Sequence, residues 1–246
     1  MNKHFTLLLA TVAVVAGGCT KDNRPVETET AASLTTSASD SSANASGHSQ
    51  VRVVNAVAGG KDIAVRIGEV TLFDYVKPNG VTDYRETALN IARFTVQAAG
   101  AGDGIMIDEK DRVLLDGNRY TVFLIADDVS RNSLHVVRDD VSPDSGKARI
   151  RVIHAAYGAP ELDVGVMGAN DPLFTGVDFK SAAGYKDVDA ATVSLAVHAT
   201  KGDGKVLLSI PSLTLVRGTA TTVVITGAVT LGYFMFTDAP VGMPKP

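Results

Sequence analysis

The chain has 246 residues, 45% of them hydrophobic, which is enough for one large or two small domains with ordinary cores. Its formal net charge is -4, and this argues against a nucleic-acid-binding protein, which needs Lys and Arg concentrated on one face. The composition therefore predicts a folded protein with no nucleic-acid partner.

The first 18 residues predict a signal peptide. Lys3 lies in a short polar start, an apolar run follows from Phe5 to Val15, and small residues lead to Cys19. The apolar run is shorter than the roughly 20 residues that a membrane-spanning helix needs, so cleavage is favoured over anchoring by a helix. Cys19 is the only cysteine of the chain, so no internal disulfide is possible.

The position of Cys19 after three small residues resembles the lipobox of bacterial lipoproteins, whose thiol is acylated, for example with palmitate. Ala16 departs from the usual larger aliphatic residue of that motif. The alternative is an ordinary secretory peptide that leaves a free thiol. Thr20 and Lys21 lack the Asp that resembles an inner-membrane retention signal, so an outer-membrane location is expected.

Residues 19–49 predict a disordered tether. The stretch is rich in Ser, Thr and Ala, and Val26 and Leu34 are its only large aliphatic residues. Such a segment cannot bury enough apolar surface to offset the entropy lost on ordering. Random-coil scaling places a folded region about 30 Å from the anchor.

A repeat begins after the tether. Val51–Ile67 aligns without gaps with Ile150–Val166, an offset of 99 residues. The similarity continues with small slips to the end of each copy. It predicts a tandem duplication with domains at 50–147 and 148–246, and the boundary falls in the turn-rich segment Ser142–Lys147.

Hydrophobic residues alternate with a period of two in both copies, as in "VRVVNAV" and "IRVIHAA". This pattern predicts half-buried strands, about seven in each copy, with turns at Asp-Gly. The expected fold is all-β, with two tandem antiparallel β-sandwich domains of immunoglobulin-like or transthyretin-like form.

The segment Arg151–Val166, "RVIHAAYGAPELDVGV", with "PLFTGVDF" and "TLVRGTATTVVITG" after it, resembles the family called domain of unknown function 4397. The resemblance covers residues 148–240 well and 50–147 less well. It implies an exported β-sandwich protein with no established enzymatic role. The residues that fit the family pattern are His154, Ala159, Pro160, Asp163 and Val164. The first copy has Asn55, Gly60, Lys61 and Ala64 at four of these positions.

His154 and Asp163 are the residues that a catalytic site would use. His154 shares the alternating face of Ile150 and Val152, so its ring is expected to point inward and bond to turn backbone. Asn55 at the equivalent position favours this bracing role, because an amide can replace imidazole as a hydrogen-bonding group but not as a base. No Gly-x-Ser-x-Gly turn supplies a nucleophile, so no catalytic residue is predicted.

Binding residues are sought among exposed aromatic side chains. The chain has no Trp, the residue that sugar-binding β-sandwiches use most. Tyr75, Tyr157 and Tyr185 have loop-like surroundings and are candidates for binding or for covering the edge of the core.

No metal or other cofactor is predicted. The His residues lie in unrelated contexts without zinc-ligand spacing. Calcium stays open because hard oxygen ligands occur near the domain junction, although a solvated acidic rim is the alternative. These carboxylates belong to Asp127, Asp128, Asp139, Asp140 and Asp144.

We therefore expect a non-catalytic cell-envelope lipoprotein that acts as a binding, display or structural module. Its expected partners are the membrane, through the lipid on Cys19, and an envelope protein or glycan. Two alternatives remain: a secreted hydrolase with a site at the loop ends of the second copy, and an accessory subunit of an envelope complex. Any dedicated site is expected in the second copy, near His154, Tyr157, Asp163 or Tyr185.

Overall fold

The computed structural model describes residues 48–88, 91–100, 106–228 and 230–239. The predicted signal peptide, the lipidation site Cys19 and the tether up to residue 47 lie outside these ranges. All regular secondary structure in the described residues is β-strand, which confirms the predicted all-β class. In this part of the chain no helix has the length and apolar character to span a membrane.

Within the described residues, sixteen strands form two halves of eight. The strands of the first half are β1 (Ser49–Asn55), β2 (Ile63–Ile67), β3 (Val70–Val76), β4 (Arg85–Thr87), β5 (Ile91–Ala98), β6 (Met106–Val113), β7 (Arg119–Ala126) and β8 (Asn132–Asp139). Those of the second half are β9 (Ala148–His154), β10 (Leu162–Val166), β11 (Phe174–Val177), β12 (Lys186–Val188), β13 (Ala191–Ala199), β14 (Val206–Leu215), β15 (Ala220–Gly227) and β16 (Leu231–Asp238).

Each half contains two four-stranded sheets, and the two halves have the same topology. The inner sheets have the orders β4-β1-β7-β8 and β12-β9-β15-β16, and the outer sheets β3-β2-β5-β6 and β11-β10-β13-β14. The outer sheets are antiparallel throughout. The prediction of antiparallel pairing is confirmed for two of the three strand pairs in each inner sheet and wrong for the third, because β1 pairs in parallel with β7 and β9 with β15. A parallel pair needs a long crossover, and the strands of the outer sheet provide it.

Three buried apolar clusters show how the sheets are layered. One lies between the two sheets of the first half and another between those of the second half. The third joins the two inner sheets and so connects the halves. Its buried members are Val54, Ala56, Phe123, Ile125, Ile153, Ala155 and Val224. The layers therefore run outer, inner, inner, outer.

This layering explains the sequence of the inner strands. Val51 and Val53 face the core of the first half, whereas Arg52 and Val54 face the second half, and all four are buried. The prediction that β1 and β9 are half-buried is therefore wrong. Strands covered on both faces lose the polar side of the alternation, whereas β5, in an outer sheet, keeps its exposed and buried alternation.

The chain enters and leaves the described body at one end. Arg119, at the start of β7, donates hydrogen bonds to the Gln50 side chain (2.7 Å) and to the Ala239 carbonyl (3.4 Å). Because β1 runs parallel to β7, the turn that follows Asn55 lies at the opposite end. We call these the tether end and the distal end.

Candidate functional site

His154 is the last residue of β9 and is fully buried at the distal end. Its Nδ1 accepts a hydrogen bond from the Ala156 amide (3.3 Å), and its Nε2 lies 3.0 Å from the Pro160 carbonyl. A carbonyl can only accept, so Nε2 carries the proton and the ring is neutral. Burial lowers the pKa of His154, in agreement with this state. Both nitrogens are thus used to hold one turn.

Asn55 holds the equivalent turn of the first half. Its Nδ2 donates to the carbonyls of Lys61 and Val76, both at 3.0 Å, and its Oδ1 accepts from the Val57 amide at 3.3 Å. Val57 and Lys61 lie 99 residues before Ala156 and Pro160, so an amide and an imidazole make corresponding bonds. Both turns also contain a glycine with positive φ, Gly59 at 68° and Gly158 at 78°.

Asp163 lies on β10 of the outer sheet and has partners of its own. Its Oδ1 accepts hydrogen bonds from the Gly176 amide and the Thr200 hydroxyl, both at 2.9 Å. These contacts connect β10 to β11 and to the residue that follows β13. His154 and Asp163 therefore serve separate structural contacts and do not form a catalytic pair.

Asp163→Ala is expected to lower the free energy of unfolding by about 1–2 kcal/mol, because two donors lose their acceptor. Alanine is the natural comparison, since Ala64 occupies the equivalent position in the first half. Asp163→Asn keeps an acceptor oxygen and should cost less than half as much. Urea unfolding measures both values, and an alanine variant as stable as the parent would contradict the bracing role.

The three candidate tyrosines lie in different surroundings. Tyr157 packs against Phe179 with ring centroids 6.5 Å apart, and Phe179 also touches His154 edge-on at 5.7 Å. Tyr75 is 62% exposed and has a φ of 55°, which is rare for a large side chain. Tyr185 lies between the halves, where burial raises its pKa to about 12. Tyr157 therefore lies beside His154 at the distal end, and Tyr75 precedes Val76, whose carbonyl accepts from Asn55 at the same end.

A buried group of four charges, which we call the charge clamp, joins the inner sheets. Arg52 donates to both carboxylate oxygens of Asp238, at 2.7 and 2.8 Å. Arg151 donates to Asp139 at 2.6 Å. Each of the four side chains belongs to a residue that is at most 6% exposed. Each arginine reaches the aspartate of the other half, which is the reciprocity of a twofold interface.

Neutral groups complete the hydrogen bonding of the clamp. The hydroxyls of Thr121 and Tyr84 donate to Asp139 at 2.6 and 2.8 Å. The Nε groups of Arg52 and Arg151 donate to Thr121 and Thr222 respectively, at 2.8 and 2.9 Å. Burial acts to lower the pKa of Arg52, but its anionic surroundings raise it overall.

The clamp is not among the residues predicted from sequence, although the repeat carries a signal for it. Arg52 and Arg151 differ by 99 positions, and so do Asp139 and Asp238. An arginine and an aspartate that both recur 99 positions later are the signal that identifies the ion pairs. Asp139, considered above as part of a solvated acidic rim, is instead buried between the halves.

A second polar chain crosses between the halves near the distal end. The Ser133 hydroxyl lies 2.5 Å from Asp127 and 2.9 Å from Nε2 of His135, and Lys180 of the second half pairs with Asp127 at 2.7 Å. Burial, followed by the charge of Lys180, lowers the pKa of His135, so the ring is neutral. The Ser133 hydroxyl donates its single proton in a hydrogen bond to the Asp127 carboxylate. The Ser133 oxygen must therefore accept from Nε2–H of His135. This arrangement links the halves and does not activate the serine.

Four of the five acidic residues considered for calcium pair through their carboxylates with protein groups, namely Asp127, Asp128, Asp139 and Asp140. Asp128 accepts from Arg131 at 2.6 Å and from Ser130, and Asp140 pairs with Arg149 at 2.8 Å. Among the described residues no group of three or more His, Cys, Asp or Glu side chains could hold a metal ion. The carboxylates serve ion pairs and turn hydrogen bonds.

A groove of about 580 Å³ lies at the distal end. Its walls are the turn between β1 and β2, the hairpin between β7 and β8, and a few residues of the second half. The contributors from the second half are Ala155, Tyr157, Gly227 and Ala228. A site in the second copy was expected, but most of this groove belongs to the first half.

The fold and these contacts define an all-β protein of two similar halves joined by a buried interface. Residues 49–165 match the family described as domain of unknown function 4397. The match covers the first half, β9 and β10 up to residue 165, although the clearer resemblance was expected in residues 148–240. No curated protein matches the chain.

Proposed function

We propose that this chain is a non-catalytic lipoprotein of the bacterial cell envelope that displays a binding surface at the end of a tether. This proposal rests on the position of the groove, which lies at the end of the body opposite the tether end. His48 follows the tether directly, and the groove lies at the far end of β1. A lipid on Cys19 would therefore attach the body through the end opposite the groove.

The joined halves support a display role. The charge clamp and the third apolar cluster bury both inner sheets against each other, so the halves belong to one compact unit. A rigid support reduces the ordering cost of binding at the loops that it carries. His154 and Asp163, the residues expected for a hydrolase, are engaged in turn and strand contacts.

Cys19→Ser tests the anchoring. The variant should move from the membrane fraction to the soluble envelope fraction when cells are fractionated, because the thiol that accepts the lipid is absent. Thr20→Ser, a conservative change at the next residue, serves as the matched control and should stay with the membranes. Membrane retention of Cys19→Ser equal to that of the control would overturn the proposal.

A further inference from the structure

The groove at the distal end exists because the two halves diverge there. The turn residue that is Tyr157 in the second half is Ala58 in the first half. The hairpin between β7 and β8 contains five residues, 127–131, whereas the equivalent connection between β15 and β16 contains three, 228–230. Because Ala58 is smaller than Tyr157 and the hairpin between β7 and β8 is longer than its counterpart, an open space remains beside the first half.

The size and lining of the groove suit a small apolar group. Its volume of about 580 Å³ lies within the range of known ligand pockets. Val57, which is half-buried, and Val129, which is exposed, contribute aliphatic surface, and Tyr157 contributes an aromatic ring from the second half. An aromatic or large aliphatic side chain would gain both burial and ring contact there.

The unpaired charge at the groove is positive. Hydrogen bonds from the Ser130 backbone amide, the Arg131 guanidinium and the Ser130 hydroxyl lower the pKa of Asp128. Arg131 also neutralises the charge of this carboxylate. Lys61 also lines the groove, and its ammonium has no ion-pair or hydrogen-bond partner among the described residues. The exposed amides of Ala58 and Gly59 likewise have no acceptor in that part of the chain. A carboxylate complements these donors.

We propose that the groove binds the C-terminal residue of a peptide, with its apolar side chain beside Tyr157 and its carboxylate at Lys61 and the amides of the turn. Ser130 and Asn132 on the hairpin wall offer polar partners to the peptide backbone. A long acyl chain would instead need a deep apolar tunnel, so a peptide is favoured over a fatty acid. This inference rests on the proposed binding role and adds the ligand chemistry.

The test uses the mature chain, residues 19–246, carrying Cys19→Ser, with N-acetyl-L-phenylalanine and N-acetyl-L-phenylalaninamide as probes. The two probes differ only in the carboxylate. In NMR titrations the acid should shift the amide resonances of Ala58 and Gly59 and bind about tenfold more tightly than the amide, as one charge-assisted hydrogen bond predicts. Lys61→Met should abolish that preference, and Lys205→Met, an exposed lysine of the second half, should keep it.

A steric variant tests the position of the ligand. Ala58→Tyr introduces the residue that the second half has at the same place in its turn, so the turn should tolerate it. The tyrosine should fill the groove and remove binding of both probes, while the unfolding midpoint in urea stays near that of the parent chain.

Three results would overturn the peptide site. They are equal affinity for the acid and the amide, unchanged binding by Ala58→Tyr, and tighter binding of dodecanoate than of N-acetyl-L-phenylalanine, which would indicate a lipid site. None of them bears on membrane anchoring, which Cys19→Ser tests separately in cells.

Discussion

Arg52→Met is expected to lower the free energy of unfolding by about 3–5 kcal/mol, because it leaves the buried carboxylate of Asp238 without its countercharge. Within the described residues, Arg52 donates both hydrogen bonds that this carboxylate accepts. Arg52 also packs its guanidinium on Phe236, 4.3 Å from the ring centre, so the variant loses this contact as well. Urea unfolding with comparison of the m-values measures the effect.

Two further variants make the result specific. Arg93→Met removes an arginine that pairs with Asp111 at 2.8 Å on the surface, where both side chains are more than half exposed, and it should destabilise the protein far less than Arg52→Met. Arg151→Met should fall between the two, because Asp139 keeps its bonds from Tyr84 and Thr121. A similar small loss in all three variants would show that the clamp adds no stability.

The double variant Arg52→Met, Asp238→Leu distinguishes two quantities. One is the destabilisation caused by leaving Asp238 buried and unpaired, and the other is the net contribution of the ion pair to the free energy of unfolding. Buried ion pairs replaced by apolar residues of similar size are often neutral in stability. The double variant should therefore recover most of the loss of Arg52→Met. In that case the charges contribute mainly to the register in which the two halves meet.

The fold was largely predictable because strands and repeats leave local signals. The ungapped alignment of Val51–Ile67 with Ile150–Val166 corresponds to β1 with β2 and β9 with β10, which have the same pairing in both halves. Strand direction was not predictable, because a period of two is the same in parallel and antiparallel pairs. The burial of both faces of the inner sheets also depends on the other half, which no local pattern contains.

The site was less predictable than the fold. The equivalence of Asn55 and His154 suggested hydrogen bonding to turn backbone, and both side chains make such bonds. Arg52 was not predicted as a site residue, because arginine side chains in strands usually face solvent. The groove depends on Tyr157 approaching the hairpin of the first half, and that distance is set only when the halves pack.

His154→Ala is expected to lower the free energy of unfolding by about 2–4 kcal/mol, since it leaves the Pro160 carbonyl and the Ala156 amide without partners and opens a cavity beside Phe179. His154→Asn is the matched control, because Asn55 shows that an amide can close this turn. The asparagine variant should lose less than about half as much. Equal losses in both variants would show that ring packing, and not turn bonding, is the contribution of His154.

The parent chain and His154→Asn should also differ in how their free energy of unfolding depends on pH. Because the pKa of His154 is lowered by burial, the unfolded chain takes up a proton near pH 6.5 while the folded chain does not. The free energy of unfolding should therefore be highest above about pH 6.5 and fall as the pH decreases towards the folded pKa. His135, with a lowered pKa, contributes in the same direction in the parent and the variant. Urea unfolding from about pH 7.5 to 5 should give His154→Asn a smaller slope than the parent, and equal slopes would mean that His154 takes up its proton without cost when folded.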